Sequence, residues 1–220
     1  MSVVLYHGGA AANSLKALLP LFEKKVDFKS HLMALINFEQ HEPWFVKINP
    51  RGQVPVLVDG DQVITQILAI VSYLDARHPE QGFLPSDPLA RSRVLETLAW
   101  MNNTVHPTFT HFFMPHKFTE SAEGQAAIKA HAAKVYPGLL AEIEAMAQKA
   151  ADQGQPFLGG ERFGPLDAYA LVLLRWGGFA KVDPTGYRAL WAHVNKVAQL
   201  PAVKRAIERE RLELNLYKAA

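Results

Sequence analysis

Apolar and polar residues along this chain change period several times, and each change marks an element. Ser2 to Tyr6 reads as a short apolar strand, ended by Gly8-Gly9. From about Ser14 the period becomes helical, with Leu15, Leu18, Leu19 and Phe22 on one face and Pro20 as a kink. Val26 to Met33 has the pattern of a second strand, and His41 to Ile48 that of an irregular or short helical connection ending at Asn49-Pro50. Asp59-Gly60 between two short apolar runs is a two-residue hairpin signal. Thr65-Gln66 then opens a helix that places Leu68, Val71 and Leu74 on one face and stops before His78-Pro79. The predicted order is strand, helix, strand, helix, strand, strand, helix.

Pro79, Gly82, Pro85 and Pro88 make residues 79–88 a linker, and the remainder of the chain is helical. Asp87-Pro88 is an N-cap with proline in the first helical position. Val94, Leu98, Met101 and Val105 form one stripe that the sequence ends at His106-Pro107. Residues 121–152 predict a long helix with Ile128, Ala132, Val135, Leu139, Ile143 and Met146 as its packed stripe. Tyr169 to Trp176 is almost wholly apolar, so it is predicted as a buried central helix. Segments 186–200 and 201–212 complete a bundle, with no internal repeat and no low-complexity stretch.

Composition narrows the function classes. Of 220 residues, 49% are hydrophobic and 20% charged, with a net charge of +2, so neither nucleic acid nor a membrane surface is an expected partner. There is no cysteine, which removes disulfides, thiolate metal sites and a cysteine nucleophile, and leaves no metal site to predict. The N-terminus lacks a basic stretch followed by a signal-length apolar run, so a soluble cytoplasmic protein is expected.

The segment richest in chemistry is Asn49-Pro50-Arg51-Gly52-Gln53-Val54-Pro55-Val56-Leu57-Val58-Asp59-Gly60, followed by Thr65-Gln66. Pro55 interrupts a strand entry and removes one backbone donor. An exposed backbone at such a joint can pair with an extended peptide, and a nearby helix start can hold a carboxylate. The first 78 residues resemble a thioredoxin-like domain. That domain, the proline-rich joint and the helical remainder together resemble the soluble glutathione transferases, across essentially the whole chain. The implied fold class is α/β plus all-α, with a thioredoxin-like domain over 1–78, a linker over 79–88 and an all-helical domain over 89–220. Phe163-Gly164-Pro165-Leu166-Asp167-Ala168-Tyr169 resembles the family's Ser-x-x-Asp capping box with Gly164 in place of serine, so Asp167 accepts while the reciprocal cap is lost.

The resemblance implies a cis Val54-Pro55 bond and glutathione as the co-substrate. Asn13 and Ser14 fall where the family places its thiol-activating residue, and capping of the first helix is the alternative role for Asn13. Val54 would pair with the cysteinyl moiety beside Pro55. Gln40, His41 and Gln53 fall where the glycyl carboxylate is held, and Gln66 meets the γ-glutamyl amine. His106 would reach the thiol end from the helical domain, or is an ordinary helix-end histidine. Ile67 departs from the family's serine and cannot donate to the γ-glutamyl carboxylate. Loss of one charged hydrogen bond, roughly 1.5–3 kcal/mol, predicts affinity lower by roughly 10- to 100-fold.

Asn13-Ser14-Leu15-Lys16, Phe38-Glu39-Gln40-His41 and Trp44-Phe45 look most like bacterial β-etherases, which cleave lignin-derived β-aryl ethers. Val105-His106-Pro107-Thr108-Phe109 is similar to the beta-class enzymes. Both imply a hydrophobic aromatic electrophile, with Phe109, Phe112, Phe113, Met114 and Trp176 either lining its pocket or serving as core or dimer surface. Family members of this kind are dimers. A homodimer is expected ahead of a heterodimer, and the competing reading is a transferase-like subunit with weak or lost glutathione binding. A redox role is disfavoured because no cysteine can form a mixed disulfide.

Overall fold

Four short apolar segments pair into one mixed sheet because each has backbone groups that only a neighbour can satisfy. In the computed structural model, which describes residues 3–8, 21 and 25–218, these are β1 (Val3–Gly8), β2 (Phe28–Met33), β3 (Val56–Asp59) and β4 (Gln62–Thr65). The order is β2-β1-β3-β4. β1 runs parallel to β2, with Val3 opposite Phe28, and antiparallel to β3, with Leu5 opposite Leu57. β3 and β4 form the expected hairpin, Asp59 facing Gln62 and Val56 facing Thr65, with Gly60-Asp61 as the two turn residues, one position beyond the expected Asp59-Gly60 because Asp59 is still paired in β3. Gly60 takes φ 60° in the turn, a backbone region that costs glycine nothing. The first helix expected from the sequence lies outside the described residues.

Contacts divide the chain into two units, Met1–Ser86 with Ala198–Leu212, and Asp87–Val197 with Glu213–Ala220. In the first, α1 (Pro43–Ile48) and α2 (Ile67–Arg77) accompany the sheet. Phe45, Val56 and Leu57 are fully buried there. The packed face of α2 is Ile67, Ile70, Val71 and Leu74, at i, i+3, i+4 and i+7. Leu68, expected on that face, is only half-buried. Asp75, near the end of α2, is buried and accepts from the backbone N–H groups of Phe83 (2.6 Å) and Leu84 (3.0 Å). The proline-rich stretch after α2 is therefore tied to that helix.

The second unit opens with α3 (Pro88–Trp100), whose N-cap Asp87 accepts from the Ala90 N–H at 2.8 Å, as the Asp-Pro pair predicts. The stripe does not stop at His106-Pro107. Met101–Val105 widens into a π turn, with the His106 N–H reaching the Met101 carbonyl at 2.9 Å, and α4 (Pro107–Phe113) continues the run. A wider turn accommodates a proline that has no N–H to give and a ring that crowds the preceding carbonyl. α5 (Ala122–Asp152) is capped by Ser121 and carries Pro137 inside it. Its buried residues are Ala132, Tyr136, Leu140, Ile143, Ala147 and Ala150. The packed face is therefore centred one residue beyond Val135, Leu139 and Met146, because the Tyr136 hydroxyl reaches inward to the Leu173 carbonyl (2.6 Å).

α6 (Pro165–Gly177) is the buried central helix; every residue except Trp176 is buried. α7 (Arg188–Ala198) comes next, and α8 (Pro201–Glu210) belongs by its contacts to the first unit. Among the described residues, no helix is long and apolar enough to cross a membrane.

Asp167 has no exposed surface and accepts from Gly164 N–H (2.8 Å) and Leu158 N–H (2.9 Å), with His193 Nε2 at 2.8 Å. Glycine at 164 has no side chain to return the cap, so the carboxylate alone closes this turn. Removing a buried carboxylate strands all three partners. Asp167→Ala should therefore lower the unfolding free energy by about 3–5 kcal/mol, and Asp167→Asn by less. Urea denaturation followed by circular dichroism measures both.

Candidate functional site

Register brings two separated segments to one end of the sheet. Val56 faces Thr65, so the residues entering β3 and those leaving β4 share that end. The entering residues are Gln53, Val54 and Pro55, and the Val54-Pro55 bond is cis. The leaving residues are Gln66 and Ile67. Gln66 is exposed and held at φ 70°, ψ 126°, a sparsely populated backbone region for a side-chain-bearing residue. It is the N-cap of α2, and its side chain makes no capping hydrogen bond to this helix start.

A network of backbone contacts shapes the approach to Pro55. Asn49 is buried, donates through Nδ2 to the Gln53 carbonyl (2.8 Å) and accepts at Oδ1 from the Arg51 N–H (3.2 Å). The Gly52 N–H closes onto the Asn49 carbonyl at 2.9 Å. Gly52 sits at φ 58°, and a Cβ there would lie 2.6 Å from the His41 ring and 3.0 Å from the Gln40 carbonyl. Only glycine lets this loop settle against the 39–41 turn. As a result Gln40, His41 and Gln53 are brought together. Gln40 Oε1 is buried without a hydrogen-bond partner among the described residues. That oxygen is an acceptor, so a contact between Gln40 and a carboxylate would fall to its Nε2 amide.

The 39–41 turn is anchored in its own right. Glu39 accepts from the Ala34 N–H (2.5 Å) and lies 3.1 Å from His31 Nε2. The Ala34 hydrogen bond, then that of His31, holds the Glu39 carboxyl below its ordinary range. The His31 ring packs in turn on Tyr6 (5.2 Å) and Trp44 (5.3 Å).

Residues 1–76 match the description "Glutathione S-transferase, N-terminal domain". The glutathione S-transferase GST-4.5 of Xanthomonas campestris pv. campestris is 32% identical over 174 residues, covering 77% of this chain and 81% of that protein. This chain belongs to the glutathione S-transferase family. LigF of Sphingobium sp. strain SYK-6 is 41% identical over 104 residues, 46% of this chain and 40% of LigF. The match therefore spans well under half of that relative's length. Over the crystal structure of LigF, described as a beta-etherase, the TM-score is 0.79 at 27% identity, covering 95% of this chain and 100% of that one. A sphingomonad glutathione S-transferase solved in complex with glutathione gives 0.78 at 30% identity, over 96% and 100%. The fold is that of the glutathione transferases: a thioredoxin-like domain with a mixed four-stranded sheet, and a helical domain.

In this transferase the positions singled out by sequence are spread over both units. Gln40, His41, Gln53, Val54, Pro55 and Gln66 belong to the first unit, the 40–41 turn packed on Gly52 and the other four gathered by the register. Ile67 adjoins them, but its side chain is only 3% exposed and faces the core of α2. Asn13 and Ser14 lie outside the described residues. His106 is in the second unit, its ring 5.4 Å from Trp176. Phe109 is buried against Tyr136 (4.5 Å) and Trp176 (4.7 Å), so it is core. Phe113 and Met114 are exposed, and Phe113 meets Phe179 at 5.2 Å. Phe179 did not stand out in the sequence, and Asn49 did so only as the first residue of the proline-rich segment; the fold alone shows what each is set beside.

His7 also escaped sequence reading. It is fully buried in β1, with Nε2 2.6 Å from Ser30 Oγ and Nδ1 3.7 Å from Glu210 at the end of α8. Burial lowers its pKa below the ordinary 6.5, and Glu210 only partly offsets this. The unfolded chain therefore binds a proton here that the folded protein refuses. The associated stability is complete above about pH 6.5 and is lost as pH falls through the lowered value. His7→Gln should flatten the decline of the unfolding free energy between about pH 7 and pH 5. Equal slopes in parent and variant would remove His7 as the titrating group.

Proposed function

We propose that this transferase binds glutathione along the end of its first sheet and uses the thiolate to attack a hydrophobic aromatic electrophile. The observation that carries the reading is the convergence of Val54-Pro55 and Gln66 at one sheet end, beside a helix start that the Gln66 side chain does not cap. An extended peptide pairs with the Val54 backbone there. Gln40, His41 and Gln53 take the glycyl carboxylate, and Gln66 the γ-glutamyl amine. The α2 N–H groups take the γ-glutamyl carboxylate. Residues 1–78 then form the glutathione-binding domain, 79–88 the linker and 89–220 the helical domain of a cytoplasmic enzyme.

A free thiol has a pKa of about 8.5, so activation means stabilising the anion. We assign that to Asn13 or Ser14. His106, Phe113, Met114 and Trp176 form the acceptor-binding face of the second unit. The β-etherase variant rests on the likeness to LigF. Sulfur attacks the carbon bearing the aryl ether, a C–S bond forms, the C–O bond breaks, and the aryloxide leaves with the electron pair before taking a proton from solvent.

Ile67 favours a second reading, a transferase-like subunit of weak glutathione affinity that partners another chain. A side chain packed in the core supplies no hydroxyl to the ligand, whichever reading holds.

Calorimetric titration with glutathione separates the two. Binding is expected at millimolar ligand or below, weakened at least tenfold by Gly52→Ala, whose Cβ displaces His41. An aryl-ether dimer should be consumed only when glutathione is present. Asn13→Ala, or the double variant with Ser14→Ala, should lower kcat with little change in glutathione affinity. Absence of heat and of thermal stabilisation would leave the second reading.

Assembly is the other proposed property. Leu89 on α3 is 66% exposed, an apolar side chain suited to a subunit contact. Light scattering of the protein expressed alone should return twice the chain mass for a homodimer. A folded monomer would remove the dimer.

A further inference from the structure

The turn assigned to the glycyl end of glutathione is held by polar contacts more than by burial. Leu35–Asn37 and Glu39–His41 are two successive single turns joined at Phe38, whose backbone is left-handed at φ 58°, ψ 27°. None of residues 35–41 is fully buried, although Leu35 packs beside Met33, Phe45 and Val56. The shorter backbone bonds of the second turn are internal to it. The His41 N–H reaches the Phe38 carbonyl at 2.8 Å and the Glu42 N–H the Glu39 carbonyl at 3.1 Å. Such bonds shape the turn without placing it against the sheet.

The Glu39 side chain places it. One carboxylate oxygen accepts from the Ala34 N–H (2.5 Å), just past the end of β2, and the other lies 3.1 Å from Nε2 of His31 within that strand. β2 is an edge of the sheet, and His31 stands opposite Tyr6 of β1. The His31 ring is gripped in turn by Tyr6 and by Trp44 of α1. A free carboxylate next to Gln40 and His41 would repel the anion that those residues are assigned to hold. Drawn back onto β2, the Glu39 charge is met by a backbone N–H and an imidazole instead. The pair is partly exposed, and such pairs add little to global stability. Its loss should therefore shift the turn and leave the domain folded.

We infer that Glu39 and His31 are positioning residues for glutathione: they fix the turn that presents Gln40 and His41, and so set a preference for thiols that carry a glycyl carboxylate. The inference rests on the proposed assignment of that carboxylate to Gln40 and His41. Neither Glu39 nor His31 needs to touch the ligand.

Calorimetry on the intact chain compares glutathione with γ-glutamylcysteine, the same thiol without its glycyl residue. The parent should bind glutathione about tenfold more tightly, as expected for a charged group that keeps its hydrogen bonds. Glu39→Ala should weaken glutathione about fivefold to tenfold and move the γ-glutamylcysteine Kd less than about twofold, so that the preference collapses. Glu39→Gln keeps one oxygen acceptor and should lose only about twofold to threefold. His31→Phe retains the ring packing without the nitrogen and should weaken glutathione about threefold. Added to Glu39→Ala it should cost nothing more, because both act through one contact. Equal weakening of the two thiols, or an unchanged preference in Glu39→Ala and in His31→Phe, would overturn the inference and leave the glycyl assignment standing. A parent that binds the two thiols alike would overturn that assignment, and the inference with it.

Discussion

A backbone N–H or C=O removed from water has to find a partner, and this protein meets that requirement in its irregular segments with three buried polar side chains. Asn49 pairs with the loop before Pro55, Asp75 with the stretch after α2, and Asp167 with the approach to α6. Each stands at or near the end of a helix and reaches into chain that has no regular structure of its own. Hydrogen bonds to charged or amide groups hold these segments as firmly as ladder bonds hold strands. The sheet and the bundle provide the walls, and these side chains fix what lies between elements.

The proposed glutathione site is a consequence of that arrangement. Asn49 sets the path of residues 50–53, and Gly52 lets that path lie against the 39–41 turn. Glu39 fixes the turn from its other side, through Ala34 and His31. The hairpin register then adds Gln66 from a segment that is remote in sequence. Removing any of these contacts would leave the same residues present but differently placed, and a binding site is a matter of placement.

Ile67 shows how packing and recognition compete for one position. Its place in the i, i+3, i+4, i+7 face of α2 turns the side chain into the core, where a large apolar group contributes stability that serine would not. The backbone N–H groups of the same turn remain available, so the position keeps its dipole while losing its hydroxyl. His7 is the opposite case, a polar ring kept in the core by Ser30 and Glu210 and by the neutrality that burial imposes.

Much of the architecture was determined by the sequence alone, because local rules govern it. The Asp59-Gly60 hairpin, the Asp87-Pro88 cap, the almost wholly apolar α6 and the Val54-Pro55 joint are each signalled by residues within a few positions of one another. Period and turn chemistry are short-range properties of the chain. What only the tertiary structure decided depends on residues far apart. The helical run passes through Pro107 because a π turn could form where a simple helix would have ended. The packed face of α5 is centred on Tyr136 because a carbonyl of α6 lies within reach of its hydroxyl. α8 joins the first unit, where Glu210 faces a buried histidine of β1, a pairing between opposite ends of the chain. Partners so distant along the chain are chosen by the shape and charge of the folded surfaces, and no local pattern carries that information.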